Sequence, residues 1–313
     1  MIMAAPGILK VGWIGTGLMG LPMCSHLLLQ QPSGLLPPLS LTVYNRTPGK
    51  AQPLVDVGAT LVDSPLDLAQ RSDVVFTMLT SAADVRQVLL GPSGVLSGLK
   101  PGSFIVDCTS SEPSLARELY RRGLSKGVAC VDAPVSGGDV GARDATLCFF
   151  AGGDEEAVKK LNPLFRCMGK VTYMGPAGSG QTCKLANQIS VAANCTGLSE
   201  GILYAEKAGL DPELFLKAVS GGAAGSKIMD VYGPKILERD FTPGGFAENM
   251  VKDLGTAIKE GQAMGSSFPG LAMTQQLFLS LVAHGDGRLG CQAAFLGLQR
   301  LNNLAASNES HDI

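Results

Sequence analysis

From about residue 10 to about residue 180, short apolar runs alternate with segments of helical spacing, and glycine or proline punctuates them. KVGWIG, LTVYN, DVVFTML, SFIVDC, VACVDAPV and LCFFAGG predict strands. Between them, LMGLPMCSHLLLQ, PGKAQPLVDVG, SPLDLAQRS, SAADVRQVLLG, PSLARELYRRGLSKG and DEEAVKKLNPLFRCMG predict helices. Apolar strands separated by helices imply a mostly parallel sheet covered on both faces, so residues 9–180 form a doubly wound α/β domain. Strand signals stop after Gly180. Leu185, Ile189, Ala192, Cys195, Leu198, Ile202 and Ala205 then return every three or four residues and predict one long helix over 181–208. Further helical patterns at PELFLKAVSG, SKIMDVYGPKILE, AENMVKDLGTAIKEGQAMG, LAMTQQLFLSLVAHG and GCQAAFLGLQRLNNLAAS make 181–306 an all-α domain. No repeat, low-complexity tract or flexible linker separates the halves, so the long helix is expected to join them rigidly.

Composition narrows the classes. At 313 residues the chain is long enough for two cores. Glycine, 40 of 313, is about twice its usual share, which predicts frequent tight turns and close backbone approaches. The 25 basic and 27 acidic residues nearly cancel, and no basic cluster is available to neutralise a run of phosphates, which argues against nucleic acid. No apolar run reaches the roughly 18 residues of a membrane span. Eight cysteines (24, 108, 130, 148, 167, 183, 195 and 291) lie scattered without a C-x-x-C pair, as reduced thiols do, and no zinc-ligand pattern occurs. The segment before the first strand, MIMAAPGIL, is too short for a targeting peptide, so the expected compartment is the cytosol, or the mitochondrion if a targeting segment is missing from the sequence.

KVGWIGTGLMG runs a strand into Gly15-Thr16-Gly17-Leu18-Met19-Gly20 and then a helix. In that pattern Gly15 permits the tight turn, Gly17 lets backbone approach a pyrophosphate, and Gly20 lets helix pack on strand. The next strand, LTVYN, ends in Asn45-Arg46-Thr47, where an NAD site usually offers a carboxylate to the ribose 2′-hydroxyl. A guanidinium beside two short hydrogen-bonding side chains suits a 2′-phosphate, so NADP(H) is the expected cofactor, with NAD(H) the alternative and a solvated, adenine-stacking Arg46 the bland reading. Leu79, closing DVVFTML at the same sheet edge, joins the candidate cofactor contacts.

Hydride transfer to or from a carbonyl also needs a proton donor and acceptor. None of the three histidines, His26, His284 and His311, follows a predicted strand, where open α/β sheets bind ligands, and each reads as structural or solvated. Two loops do occupy that edge: DCTSSEP (107–113) and DAPVSGG (132–138). Serine with two glycines presents a hydroxyl and unobstructed N–H groups, a receptor for a carboxylate, although either loop could be a plain turn. Lys184 begins the long helix as the chain leaves the nucleotide domain, which suits a cleft between domains; Asn187 and Gln188 at i+3 and i+4 share its face, and Gln181 precedes them. Burial beside an oxidised nicotinamide would lower the pKa of such a lysine and let it exchange a proton near neutral pH. The competing reading is a surface lysine at a helix start.

With GWIGTGLMG, DAPVSGG, GSGQTCKLANQ and VKDL (251–254) in this order, the chain resembles the β-hydroxyacid dehydrogenases, specifically the 3-hydroxyisobutyrate dehydrogenase-like proteins, over nearly all of residues 9–304. The resemblance implies a Rossmann-type domain followed by an all-helical one, catalysis by Lys184, and a small carboxylate substrate held at Ser136, Gly137 and Gly138. It implies cofactor contacts at Ser110, where the family usually has threonine, and at Lys252 of the K-D motif. Many members carry asparagine four residues after the lysine; here that residue is Gln188, with Asn187 one place earlier as in a plant-type branch, so the size of the substrate is open. Asn45-Arg46-Thr47 also looks like the NADPH-using glyoxylate and succinic semialdehyde reductases of the family. The expectation is therefore an NADP(H)-dependent oxidoreductase acting on a small hydroxy acid or its semialdehyde, against a catalytically silent nucleotide-binding scaffold of the same fold. The last two helical patterns are apolar on more than one face and, with the resemblance, predict a homo-oligomer, dimer or tetramer.

Overall fold

The structure, a computed structural model, describes residues 8–29 and 38–304. Residues 1–7, His311 and the end of the predicted second domain lie outside them. The chain divides into two compact units, one up to Lys184 and one from Leu185.

The first unit runs β1 (Leu9–Ile14), α1 (Gly20–Leu29), β2 (Leu39–Tyr44), α2 (Gln52–Val55), β3 (Thr60–Leu61), α3 (Pro65–Gln70), β4 (Val74–Thr77), α4 (Ala82–Leu90) and α5 (Val95–Gly98). It continues through β5 (Phe104–Asp107), α6 (Pro113–Leu124), β6 (Ala129–Asp132), β7 (Val135–Ser136), α7 (Gly138–Arg143), β8 (Leu147–Gly152), α8 (Glu155–Phe165) and β9 (Gly169–Gly175). The strands form one sheet in the order β3-β2-β1-β4-β5-β6-β8-β7, with β9 also paired to β8. From β3 to β6 every pairing is parallel; β6–β8 and β7–β8 are antiparallel. β4 is buried along its length and β1 at every position but Lys10, as a sheet covered on both faces requires. On one side Trp13 stacks on Phe76 at 5.4 Å and Phe76 meets Phe165 edge-on; on the other, Ile14, Val75 and Ile105 pack with Leu68, Leu89 and Leu119. The predicted doubly wound sheet is thus present. Its edge elements β3, β9 and the short α7 were not predicted.

α9 (Ser179–Lys207) is the long helix, 29 residues without a break. Of its predicted stripe, Leu185, Ala192, Cys195, Leu198, Ile202 and Ala205 are buried and Ile189 is partly so. In the second unit follow α10 (Pro212–Val219), α11 (Lys227–Leu237), α12 (Ala247–Ala263), α13 (Pro269–Ala283) and α14 (Ala294–Leu301). Their apolar faces close a separate core around Ile202, Leu254, Phe278, Leu281 and Phe295. Among the described residues no helix is long and apolar enough to cross a membrane.

Candidate active site

β1 delivers the chain into the glycine turn, and Trp13 fixes its start: the buried indole N–H donates to the Gly15 carbonyl at 2.9 Å. Gly15 has φ +96°, and a Cβ there would collide with the Met78 carbonyl oxygen and lie 3.2 Å from Leu79, so only glycine passes. A Cβ on Gly20 would collide with the Gly15 carbonyl, which is how closely helix and strand touch. At Gly17 the opposite holds: the residue is exposed, and no heavy atom stands within 4 Å of where a Cβ would be. Thr16 N–H donates to Asn45 Oδ1 at 2.9 Å, while its buried hydroxyl has no partner among the described residues. An open backbone edge beside an orphaned hydroxyl, where α1 begins, fits a dinucleotide pyrophosphate. Leu18 and Met19, exposed and half-buried, complete the turn.

After β2, Asn45 braces this turn, since its Nδ2 also donates to the Thr47 carbonyl at 2.8 Å. Arg46 is exposed and stands 3.4 Å from Asp84 Oδ1; Asp84 in turn accepts from Ser81 Oγ at 2.7 Å at the start of α4. The pattern at the end of β2 predicts Asn45, Arg46 and Thr47 at the ribose. In the structure Asn45 links that corner to the phosphate turn.

The ends of β4 and β5 are locked by a buried carboxylate. Asp107 Oδ1 accepts from Thr77 Oγ at 2.8 Å and from Thr109 N–H at 3.0 Å, and Thr109 Oγ accepts from Leu79 N–H at 2.9 Å. Burial pushes the Asp107 carboxyl up to about 6; bonds from Thr109 and Thr77 oppose it, and the neighbouring charge of Asp132 adds to it. The loop thus fixed carries Ser110, half-buried. The predicted strand VACVDAPV is two strands, β6 and β7, parted at Ala133-Pro134 because proline has no N–H for a ladder. β7 ends at Ser136; Gly137, with φ +131°, and Gly138 are exposed and lead into α7.

α9 begins against these loops. Asp132 Oδ1 accepts from Gly178 N–H at 2.8 Å and Oδ2 from Gln181 N–H at 2.9 Å, and Asp132, like Asp107, titrates above the usual carboxylate range because it is buried. Gln181 is wholly buried: its Nε2 donates to the Thr109 carbonyl at 2.7 Å and its Oε1 accepts from Ser111 N–H at 2.9 Å. Lys184, one turn on, is buried at 8% exposure, unusual for a lysine. Neither Asp107 nor Asp132 was among the sequence candidates. Their available signal was that both strand-end loops open on aspartate, DCTSSEP and DAPVSGG.

In the second unit Gln188 Nε2 donates to Asp253 Oδ2 at 2.7 Å, and its Oε1 accepts from Asn187 Nδ2 at 3.0 Å. Lys252 Nζ stands 3.3 Å from the other oxygen of Asp253. Asn187, Gln188 and Lys252 are therefore joined through Asp253. His26 Nε2 lies 3.0 Å from the carbonyls of Ala142 and Arg143, and His284 Nδ1 lies 2.7 Å from that of Ser280, both structural positions. None of the eight cysteines is in a disulfide, and no cluster able to hold a metal occurs among the described residues.

A glycine turn that takes a dinucleotide, strand-end loops bearing Ser110 and Ser136, and a buried lysine at the head of the next helix define a nicotinamide-dependent oxidoreductase. Residues 10–175 match the model of the NAD binding domain of 6-phosphogluconate dehydrogenase, and residues 178–296 that of the NAD-binding domain of NADP-dependent 3-hydroxyisobutyrate dehydrogenase. The chain is 54% identical to the probable 3-hydroxyisobutyrate dehydrogenase-like 1, mitochondrial, of Arabidopsis thaliana, over 97% of this chain and 89% of that one. It is 36% identical to the 2-hydroxy-3-oxopropionate reductase of Escherichia coli, over 94% and 99%. The Mycobacterium tuberculosis 3-hydroxyisobutyrate dehydrogenase, solved with L-serine, superposes with a TM-score of 0.83 at 27% identity, over 94% and 100%. The chain belongs to the β-hydroxyacid dehydrogenase family, among its 3-hydroxyisobutyrate dehydrogenase-like members, and is an NAD(P)-dependent oxidoreductase.

Proposed function

We propose that this enzyme moves a hydride between NADP(H) and a small hydroxy acid or its semialdehyde, with Lys184 as general acid and base. The observation that carries this reading is a buried lysine one turn into a helix whose start is bonded to the two strand-end loops. The bound nicotinamide supplies or receives the hydride. Around it, the Gly15–Gly20 turn holds the pyrophosphate, and Arg46 takes the 2′-phosphate through charge-assisted hydrogen bonds. The Ser136 hydroxyl and the N–H groups of Gly137 and Gly138 receive the substrate carboxylate. In reduction Lys184 Nζ gives a proton to the carbonyl oxygen as hydride reaches the carbonyl carbon; in oxidation it takes the hydroxyl proton. Asn187 and Gln188, held by Asp253, contribute on the substrate side, and Ser110 and Lys252 on the cofactor side. A relative named for reducing a small hydroxy aldehyde acid supports the reductive direction with NADPH as the second reading.

The test is a panel of 3-hydroxyisobutyrate, 4-hydroxybutyrate and glycolate, with methylmalonate semialdehyde, succinic semialdehyde and glyoxylate, each with both cofactors, followed by reduced-nicotinamide absorbance. One acid should dominate in kcat/KM, with NADP(H) preferred. Lys184→Ala should then lower kcat by about 10²–10⁴-fold, the usual worth of general acid–base catalysis, and Lys184→Arg should not restore it, because a guanidinium stays protonated. Near-normal kcat in Lys184→Ala would remove the lysine from the reaction.

A further inference from the structure

The first turn of α9 is held by long-range bonds as well as by the local bond from Ser179 N–H to the Pro176 carbonyl. Helix starts are usually satisfied by a serine, threonine, asparagine or aspartate at the N-cap itself. Here the acceptor for Gly178 and Gln181 is Asp132, 46 and 49 residues earlier in the chain, and the Gln181 side chain reaches backbone 70 and 72 residues earlier. Each of these partners belongs to a segment assigned to the reaction. Gln181 grips the backbone on both sides of Ser110, at Thr109 and Ser111, and Asp132 ends β6 four residues before Ser136. The contact is tight: a Cβ on Gly180 would collide with the Phe150 carbonyl and lie 2.6 Å from the Asp132 carbonyl. Burying an amide and a carboxylate is costly unless every bond is made, and a mainly apolar contact would hold a helix as well. What the polar pair adds is direction, since each bond fixes an angle as well as a distance.

We propose that Gln181 and Asp132 are positioning residues for proton transfer, setting the first turn of α9, and with it Lys184, in register with the segments that carry Ser110 and Ser136. The proposal rests on the reading of Lys184 as the acid and base. Gln181 and Asp132 need touch neither substrate nor cofactor; they act through the lysine.

The experiment is a double-mutant comparison with NADPH and the fastest aldehyde acid of the panel above. Gln181→Met, Gln181→Glu and Asp132→Asn are each made in the wild type and in Lys184→Ala, and NADPH affinity is read from the fluorescence of Trp13, the sole tryptophan of the chain. Gln181→Met keeps the shape and removes both side-chain bonds. Misplacing a reacting group by about 1 Å can cost about 10²-fold, so Gln181→Met should lower kcat by about 10- to 100-fold. NADPH affinity and KM should stay within about threefold, and the solvent isotope effect on kcat should rise as proton transfer slows. Gln181→Glu, which keeps an acceptor for Ser111, should fall between. In the Lys184→Ala background the same changes should alter kcat by less than about twofold, because residues acting through one group are not additive. Losses that multiply in the double variants would overturn the proposal, as would wild-type kcat in Gln181→Met. If Gln181→Met shows no cooperative melt, Gln181→Glu and Asp132→Asn carry the same comparison. Unchanged kcat in Lys184→Ala overturns the reading of the lysine instead. A fall in Lys184→Ala alongside normal Gln181 and Asp132 variants overturns the positioning alone.

Discussion

Arg46 carries its charge in solvent, with 84% of its side chain exposed and Asp84 as its ion-pair partner at 3.4 Å. An exposed pair is worth at most about 1 kcal/mol, so a 2′-phosphate can displace the carboxylate at little cost. Arg46→Ala should weaken NADPH binding by roughly 1.5–3 kcal/mol, the range for hydrogen bonds to charged groups, and NADH less. Equal losses for both cofactors, in a fluorescence titration of Trp13, would mean that Arg46 only stacks or packs. Asp107 sets a different test, because its burial raises a carboxyl from 3.8 to about 6. Between those values the unfolded chain has released a proton that the folded chain still holds, so stability falls as pH rises through the window, by about 3 kcal/mol in all. Asp107→Asn keeps an acceptor for Thr77 and Thr109 and cannot ionise. Its melting temperature should therefore drop less between pH 4 and pH 6.5 than that of the wild type, with Asp132 supplying the slope that remains. Parallel melting curves for the two proteins would refute the assignment of this titration to Asp107.

Elements with an apolar run or a buried stripe were legible in the sequence even when short, such as the four-residue β4 and β5, and those without one were not. α9 was read from seven apolar positions, six of which are buried. β3 and β7 are two residues each, too short for a period of two to register. β9 alternates but is largely exposed, so it lacks the apolar run that marked the inner strands. α7, with the sequence GDVGAR, has poor helix formers and reads as a turn. Lys184 stood out as a charge among small and apolar neighbours. Asp132, by contrast, shows in the sequence only as the aspartate that opens DAPVSGG; its role comes from partners 46 and 49 residues away, which that local sign does not reveal. The sequence offers the Ser136-Gly137-Gly138 turn as a carboxylate receptor, and the structure adds a constraint: at Gly137 φ is +131° and a Cβ would lie 3.2 Å from Leu147. Gly137→Val should raise KM at least tenfold while Trp13 still reports normal NADPH binding, because a β-branched residue cannot hold that backbone angle. An unchanged KM would take the turn out of the substrate site.

The two units bury separate cores, and the second leaves large apolar side chains in solvent. Tyr204 is 76% exposed, Met273 74% and Leu214 64%, on α9, α13 and α10 respectively. Single exposed apolar residues are ordinary, but with Leu301 of α14 at 69%, four helices of one small unit present large apolar side chains more than three-fifths exposed, which is more than the packing of that unit uses. The sequence pointed the same way through the two-faced apolar patterns of α13 and α14. A homo-oligomer built on the helical unit follows as an expectation, with these side chains as its apolar anchors. Light scattering at micromolar concentration should give at least twice the 32.4 kDa of one chain. Tyr204→Glu, which places a charge at the most exposed large apolar position among the described residues, should shift that mass toward the single chain while leaving NADPH binding intact, since Tyr204 stands near the far end of α9 from Lys184. A single-chain mass for the wild-type protein would leave Tyr204, Met273 and Leu214 as surface residues and the helical unit as the wall of a monomer.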